Sequence, residues 1–226
     1  MSDVARLDLH VHSTYSPDSK LRLDAIVGRL AYQGLRGFAL TDHNTTRGHA
    51  PLAELAATHR AYLFLPGVEV STVEGHLLAY GVTDAPPRGR PLVETVEWVQ
   101  AHGGEAVPAH PFRWTHGIGR TVAASAPVRA LEGRNGHNSE LANLHAEDLA
   151  ARRQIGTTGG SDAHALADLG RAFTEFDPSV ATPDDLLEAI RRGATVGGGK
   201  STGLGGRLAL SLRSAALRVG RGFRPV

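Results

Sequence analysis

Asp8, His10 and His12 alternate with Leu7, Leu9 and Val11 near the start of the chain. Alternation at a period of two marks a β-strand, whose successive side chains leave by opposite faces. Such a strand buries its aliphatic side and offers an acid and two imidazoles on the other. Two His at i and i+2 lie close enough to hold one metal ion. A single His-x-His is as easily a polar strand face. The pattern gains weight by recurrence, because Asp18, His43, Glu69, His110, Asp162 and His164 also fall at or just past stretches that read as strands. Taken singly, each has an ordinary account as a core imidazole or a helix-capping carboxylate. That account does not explain why the same residue types return at the same end of nearly every strand.

These eight residues are too many for one tetrahedral ion and suit two or three divalent ions, with Glu69 as a bridging carboxylate. Two ions about 3.5–4 Å apart hold a water between them, lower its pKa and clamp the oxygens of a phosphate ester. The expected nucleophile is that water, so no side chain is assigned the role. The chain has no cysteine, which excludes disulfides, thiolate metal sites and Cys nucleophiles. Imidazole and carboxylate ligands suit Mn, Fe or Zn.

The elements that must position these residues follow from periodicity and punctuation. Apolar strands are expected at 6–12, 37–41, 61–65, 68–71, 76–82, 105–109, 127–131 and 155–160, with Pro66-Gly67 as a kink between the third and fourth. Helices are expected at 21–35, 48–59, 92–101, 139–153 and 183–192, the last started by Thr182-Pro183-Asp184-Asp185. Loops are expected at 85–90 and 114–124. Strands alternating with helices predict an α/β fold of βα units around a parallel sheet. Its sites lie at the C-terminal ends of the strands.

The bulk numbers agree with one soluble domain over residues 1–226, its last part a basic segment over 201–226. The chain has 226 residues, 41% hydrophobic and 21% charged, and a net charge of +1, which gives no general case for nucleic-acid or membrane binding. The first apolar residues alternate with polar ones, unlike a signal peptide. No apolar run approaches the ~20 residues of a membrane span. A cytoplasmic protein with no obligate protein partner is expected. Arg207, Arg213, Arg218, Arg221 and Arg224 punctuate the last segment, which is expected to be a helix packing on the domain, with a membrane, nucleic-acid or partner contact as the alternative. Gly197-Gly198-Gly199-Lys200-Ser201-Thr202 is not a P-loop, because the required earlier glycine is Ala194. It is expected to be a flexible loop.

Asp8-x-His10-x-His12-Ser13, Thr41-Asp42-His43, Gly67-Val68-Glu69, Ala109-His110-Pro111 and Gly160-Ser161-Asp162-Ala163-His164 resemble the motifs of the PHP (polymerase and histidinol phosphatase) family. Five motifs in the family's order cover nearly the whole chain, about residues 6–200. The resemblance implies a distorted (β/α)7 TIM-like barrel, a metal cluster at its C-terminal mouth and phosphoester hydrolysis. It implies one ion on His10, His12, Glu69 and Asp162, a second reached by Glu69 and His110, and a third on Asp18, His43 and His164. Many three-metal members carry a further His or Cys after the strand that follows the His-Pro motif. Here that stretch reads Leu131-Glu132-Gly133-Arg134-Asn135-Gly136-His137, which leaves Glu132, Asn135 or nothing in the place.

Arg113 and Asn135 are the candidate substrate contacts, Arg113 because a guanidinium can grip a phosphate with two N–H groups. His76 is either a group that orients a ligand or a buried His without a role. His49, His59, His102, His116, His137 and His145 are expected at the surface. The expected function is hydrolysis of a small phosphate ester, a nucleotide or short oligonucleotide. The alternatives are a histidinol-phosphate-type phosphatase and a non-catalytic metal-binding scaffold. A binuclear amidohydrolase is disfavoured, since many of these bridge their metals with a modified lysine. The only lysines, Lys20 and Lys200, lie in a polar loop and a Gly-rich tail.

Overall fold

In a computed structural model the described residues are 4–203. The five arginines of the basic segment lie outside them.

The chain begins with β1 (Ala5–Val11), α1 (Leu23–Leu30), β2 (Gly37–Leu40), α2 (His49–Thr58), β3 (Leu63–Ser71) and β4 (His76–Tyr80). It continues with α3 (Leu92–Ala101), β5 (Glu105–Pro108), α4 (Gly119–Ser125), β6 (Ala130–Asn135), α5 (Glu140–Arg153) and β7 (Gly156–Gly160). β8 (Ala172–Phe176), α6 (Pro183–Arg191) and β9 (Val196–Gly199) complete it. The strands form a seven-stranded sheet in the order β5-β4-β3-β2-β1-β8-β9, curled into a half-barrel, and a separate pair β6-β7. No ladder joins the two sheets among the described residues, so a closed barrel is not formed by strand pairing.

The sheet is mixed, which corrects the expected parallel one. β1–β2 and β2–β3 are parallel, but β4 runs antiparallel to both β3 and β5. Only residues 72–75 separate β3 from β4, too few for the crossover that a parallel pair requires. β8 is antiparallel to β1 and to β9. Pro66-Gly67 does not divide two strands. β3 pairs with β2 as far as Pro66 and with β4 from Gly67 onward, so the pair marks a change of partner.

Three further expectations change. The loop at 114–124 contains α4. β6 extends to Asn135, which places Glu132 inside a strand. The glycine triplet is strand β9 and not a flexible loop, because small residues let it approach its neighbours. A Cβ at Gly197 would lie 2.4 Å from Thr158 O, and Gly199 has φ +107°. The expected start of the last helix is present, with the Thr182 and Asp185 side chains forming a capping box.

Leu7 and Leu9 pack with Leu65, Leu78, Val107 and Leu186 inside the curl, while Val11 joins Ile26, Leu30 and Phe38 on another side. β7 docks on β1 outside the ladders. Asp162 N donates to His10 O at 2.7 Å and His12 N to Ala163 O at 3.1 Å. The buried Asp8 carboxylate accepts from Ser161 N at 2.8 Å and from Gly170 N at 2.9 Å, and burial pushes its pKa up to about 6. Gly160 is the point of closest approach, where an added Cβ would lie 2.3 Å from His10 Cβ. Gly160→Ala is therefore expected to destabilise the fold by about 1–3 kcal/mol, because β7 must move away from β1. Denaturant unfolding measures it, and an unchanged midpoint would refute this docking.

Candidate metal centre

β1 brings His10 and His12 to its end with both side chains fully buried. The loops that follow β1 and β2 contribute Asp18 and His43, β3 contributes Glu69, and the residues just past β5 and β7 contribute His110, Asp162 and His164. All eight sequence-predicted ligands meet at this end of the strands. Single atoms from His12, Asp18, His43 and His164 lie within 4.8 Å of one another, as do those of His10, His12 and Glu69.

Glu69 is the hub. Its Oε1 lies 2.8 Å from His76 Nδ1 and 3.0 Å from His110 Nε2. Its Oε2 lies 3.3 Å from His10 Nε2, 3.2 Å from His12 Nε2 and 3.1 Å from His43 Nδ1. Asp162 Oδ1 stands 3.6 Å from His10 Nε2 and 3.3 Å from His12 Nε2. Asp18 spans His43 Nε2 and His164 Nε2, each at 3.4 Å.

The outer nitrogens are held from behind. His10 Nδ1 bonds Glu132 Oε1 at 2.8 Å, and His12 Nδ1 bonds Ser16 Oγ at 3.1 Å. Each ring therefore aims Nε2 inward, and neither Nε2 has a hydrogen-bond partner although both are buried. His110 Nδ1 is likewise buried without one. Buried polar atoms normally find partners, and unpartnered imidazole nitrogens converging on carboxylates fit a bound cation. The donor set fits Mn, Fe or Zn better than a soft metal.

The electrostatics agree. Burial would raise the pKa values of Glu69 and Asp162, but the imidazoles around Glu69 and the His10 and Arg113 beside Asp162 hold both well below the usual carboxylate range. Burial would lower His12, but the Asp162 and Glu69 carboxylates outweigh it and push the imidazole up to about 10. Burial, with Arg113 nearby, holds His110 well below its ordinary value. His110 (φ +31°) and Asp162 (φ +57°) both adopt left-handed backbone that non-glycine residues rarely occupy. Such strain persists where the surroundings over-determine a functional geometry.

Glu132 does not lie among the converging ligands. It takes His10 Nδ1 on one oxygen and His110 N on the other, the latter at 2.6 Å. It positions two ligands at once, so Glu132→Gln is expected to weaken metal binding about 10–100-fold. Competition with a chromophoric chelator measures this, and unchanged affinity would remove Glu132 from the centre.

Arg113 NH2 lies 2.6 Å from Asp162 Oδ2 and 2.6 Å from Asn135 Oδ1, and its Nε donates to Asn138. Arg113 stays partly exposed at the edge of the cluster. Asn135 is fully buried, and its amide is shared among Arg113, Glu132, Asp162 and the backbone of His137. That is a bracing position.

His137, expected at the surface, is engaged instead, whereas His116 is exposed as expected. His137 Nδ1 lies 4.0 Å from Asp162 Oδ2 and its Nε2 3.7 Å from Asp168 Oδ2. His116 stacks on His76. Ser16 also donates structure to the site, accepting from His43 N at 2.9 Å. Its loop shows no pattern from which this could be read. The position of Glu132 just past the apolar stretch 127–131 is the one sequence signal that pointed to it.

The chain is similar to known proteins in sequence and in fold. The family model for the PHP domain matches residues 8–106, and one described as PHP-associated matches residues 140–195. An uncharacterized protein of Methanocaldococcus jannaschii, MJ1587, is 30% identical over 117 residues, 47% of this chain and 68% of that one. The 3′,5′-nucleoside bisphosphate phosphatase of Chromobacterium violaceum is 40% identical over 88 residues, 37% of this chain and only 30% of that protein. Among solved structures, a two-domain protein from Bacteroides vulgatus containing a predicted PHP-like metal-dependent phosphoesterase superposes with a TM-score of 0.72 at 18% identity. The match covers 87% of this chain and 65% of that one.

Proposed function

The chain belongs to the PHP family, and from that premise we propose that it is a metal-dependent hydrolase of phosphoester bonds acting on a nucleotide or another small phosphate ester. The observation that carries this reading is the convergence of the buried, unpartnered Nε2 atoms of His10 and His12 on the carboxylates of Glu69 and Asp162. In this reading β6 and β7 complete a distorted (β/α)7 barrel over about residues 6–200. His10, His12, Glu69 and Asp162 hold one divalent ion, Glu69 and His110 reach a second, and Asp18, His43 and His164 hold a third.

Bound there, Mn, Fe or Zn supplies Lewis acidity and a water whose pKa is lowered towards neutrality. The residues of the chain supply position. Glu132 and Ser16 fix the rings of His10 and His12, so that each presents the same nitrogen to the centre. His76 and His110 hold Glu69 Oε1 and turn Oε2 inward. Arg113 balances the charge of Asp162 and, at the exposed edge, offers guanidinium N–H groups to phosphate oxygens. The similarity to a bisphosphate phosphatase supports a nucleotide as substrate, although that match spans under a third of the relative.

Hydrolysis of p-nitrophenyl phosphate and bis(p-nitrophenyl) phosphate by the manganese-supplemented protein tests the proposal. Turnover that a chelator abolishes is expected, and the faster ester separates monoesterase from diesterase. A fully loaded protein that turns over neither these esters nor a nucleotide panel would contradict it, and a binding scaffold would take its place.

A further inference from the structure

Behind Arg113 lies a set of three asparagines, Asn135, Asn138 and Asn143, each at most 1% exposed. Asn143 stands in the first turn of α5, where the Ser139 side chain caps the helix. Asparagine is a poor helix former, and one buried on a helix needs both ends of its amide matched. Asn143 Oδ1 accepts from Asn135 N at 3.1 Å, and Asn143 Nδ2 donates to Asn135 O at 3.1 Å. A backbone N–H can only donate and a backbone C=O can only accept, so these two bonds settle which way the amide points.

That orientation propagates. Asn138 must offer Nδ2 to Asn143 Oδ1, at 3.0 Å, and so turns its own Oδ1 to Arg113 Nε at 2.9 Å. Asn135 Oδ1 accepts from His137 N at 2.9 Å, and the same oxygen accepts from Arg113 Nη2 at 2.6 Å. Arg113 Nη2 also donates to Asp162 Oδ2 at 2.6 Å. Nε and both N–H groups of Nη2 are thereby engaged, out of the five N–H donors of a guanidinium. Nη1 has no partner among the described residues, and the side chain is 23% exposed at the edge of the cluster.

We propose that Asn143 is a positioning residue for phosphoester hydrolysis: through Asn135 and Asn138 it holds the Arg113 guanidinium in one orientation and leaves Nη1 to donate to the ester. The proposal rests on the phosphoesterase reading, with Arg113 as its phosphate contact. Asn143 bonds Asn135 and Asn138 and none of the eight candidate metal ligands, so it acts at one remove. A guanidinium held beforehand does not lose its rotamer freedom each time a substrate binds. It also meets the ester in the geometry that the reaction requires.

The N143A, R113A and doubly substituted variants of the manganese-loaded full chain are compared on whichever p-nitrophenyl ester the wild-type chain hydrolyses faster. N143A is expected to lower kcat/KM about 10–100-fold, the cost of a misplaced charged contact. Competitive inhibition by inorganic phosphate is expected to weaken with it, while the ion content stays at the wild-type value. In the R113A background the same substitution is expected to change kcat/KM by less than about twofold, because nothing is left to position. N138S breaks the chain of amides one residue nearer the guanidinium and carries the same expectations should N143A not fold. An unchanged kcat/KM in N143A, an equal loss with and without Arg113, or a loss accounted for by missing ions overturns the positioning role and leaves the phosphoesterase reading standing. A loaded wild-type protein that hydrolyses no phosphate ester overturns both.

Discussion

Glu69→Gln is expected to lower phosphoester hydrolysis by at least about a thousandfold and to cost the chain bound metal. The amide preserves the volume of the carboxylate and one acceptor oxygen, so the change isolates charge. Glu69 stands between two sets of groups, with His76 and His110 on Oε1 and His10, His12 and His43 facing Oε2. No other carboxylate among the described residues meets five imidazoles. In the variant the inward atom is a neutral oxygen or an N–H. The first holds a divalent ion poorly and the second repels it. Turnover at saturating manganese, measured alongside metal content, reads both effects. Wild-type values for both would show that Glu69 is a structural acid.

Saturation with a suitable divalent ion is expected to raise the melting temperature by about 5–10 °C. Binding to the folded chain alone stabilises it by RT ln(1 + [L]/Kd), about 2.7 kcal/mol when the ion is at a hundred times its Kd. A chain of this length gains roughly 2–4 °C per kcal/mol. The gain comes from a cluster that is buried before any ion enters it, where His10 and His12 face carboxylates with their Nε2 atoms unpartnered. An imidazole must be neutral to coordinate, so loading releases protons and the gain grows as pH rises. Thermal melts with and without a chelator, at two pH values, test both the size and the sign. A melting temperature indifferent to metal would mean that the cluster is satisfied by its own ion pairs.

The clustering of these residues was legible because their types recur at the same end of successive strands. His10 and His12 lie two residues apart at the end of one strand, Glu69 lies within another, Asp18 in the loop after the first, and His43, His110, Asp162 and His164 just past strand ends. Strand direction was not legible. The apolar pattern of residues 76–82 reads the same whichever way the strand runs, and only the four-residue link after Ser71 forces β4 to turn back. Nor does sequence show which residues support the ligands. Glu132 meets His10 across 122 positions, and His137 meets Asp162 through a loop whose course depends on β6 ending at Asn135. The glycine triplet of β9 looked like a loop because glycine is usually a breaker. Here small size is the requirement, since β9 must press against β7 and β8.

Metal content decides the account most directly. The full chain is purified without chelators, reloaded with manganese, iron or zinc, desalted and measured by mass spectrometry against protein concentration, with the Glu69→Gln variant treated in parallel. Two or three ions per chain, with fewer in the variant, is the predicted result. Less than one ion per chain after reloading with each metal, or equal content in the variant, would contradict the account.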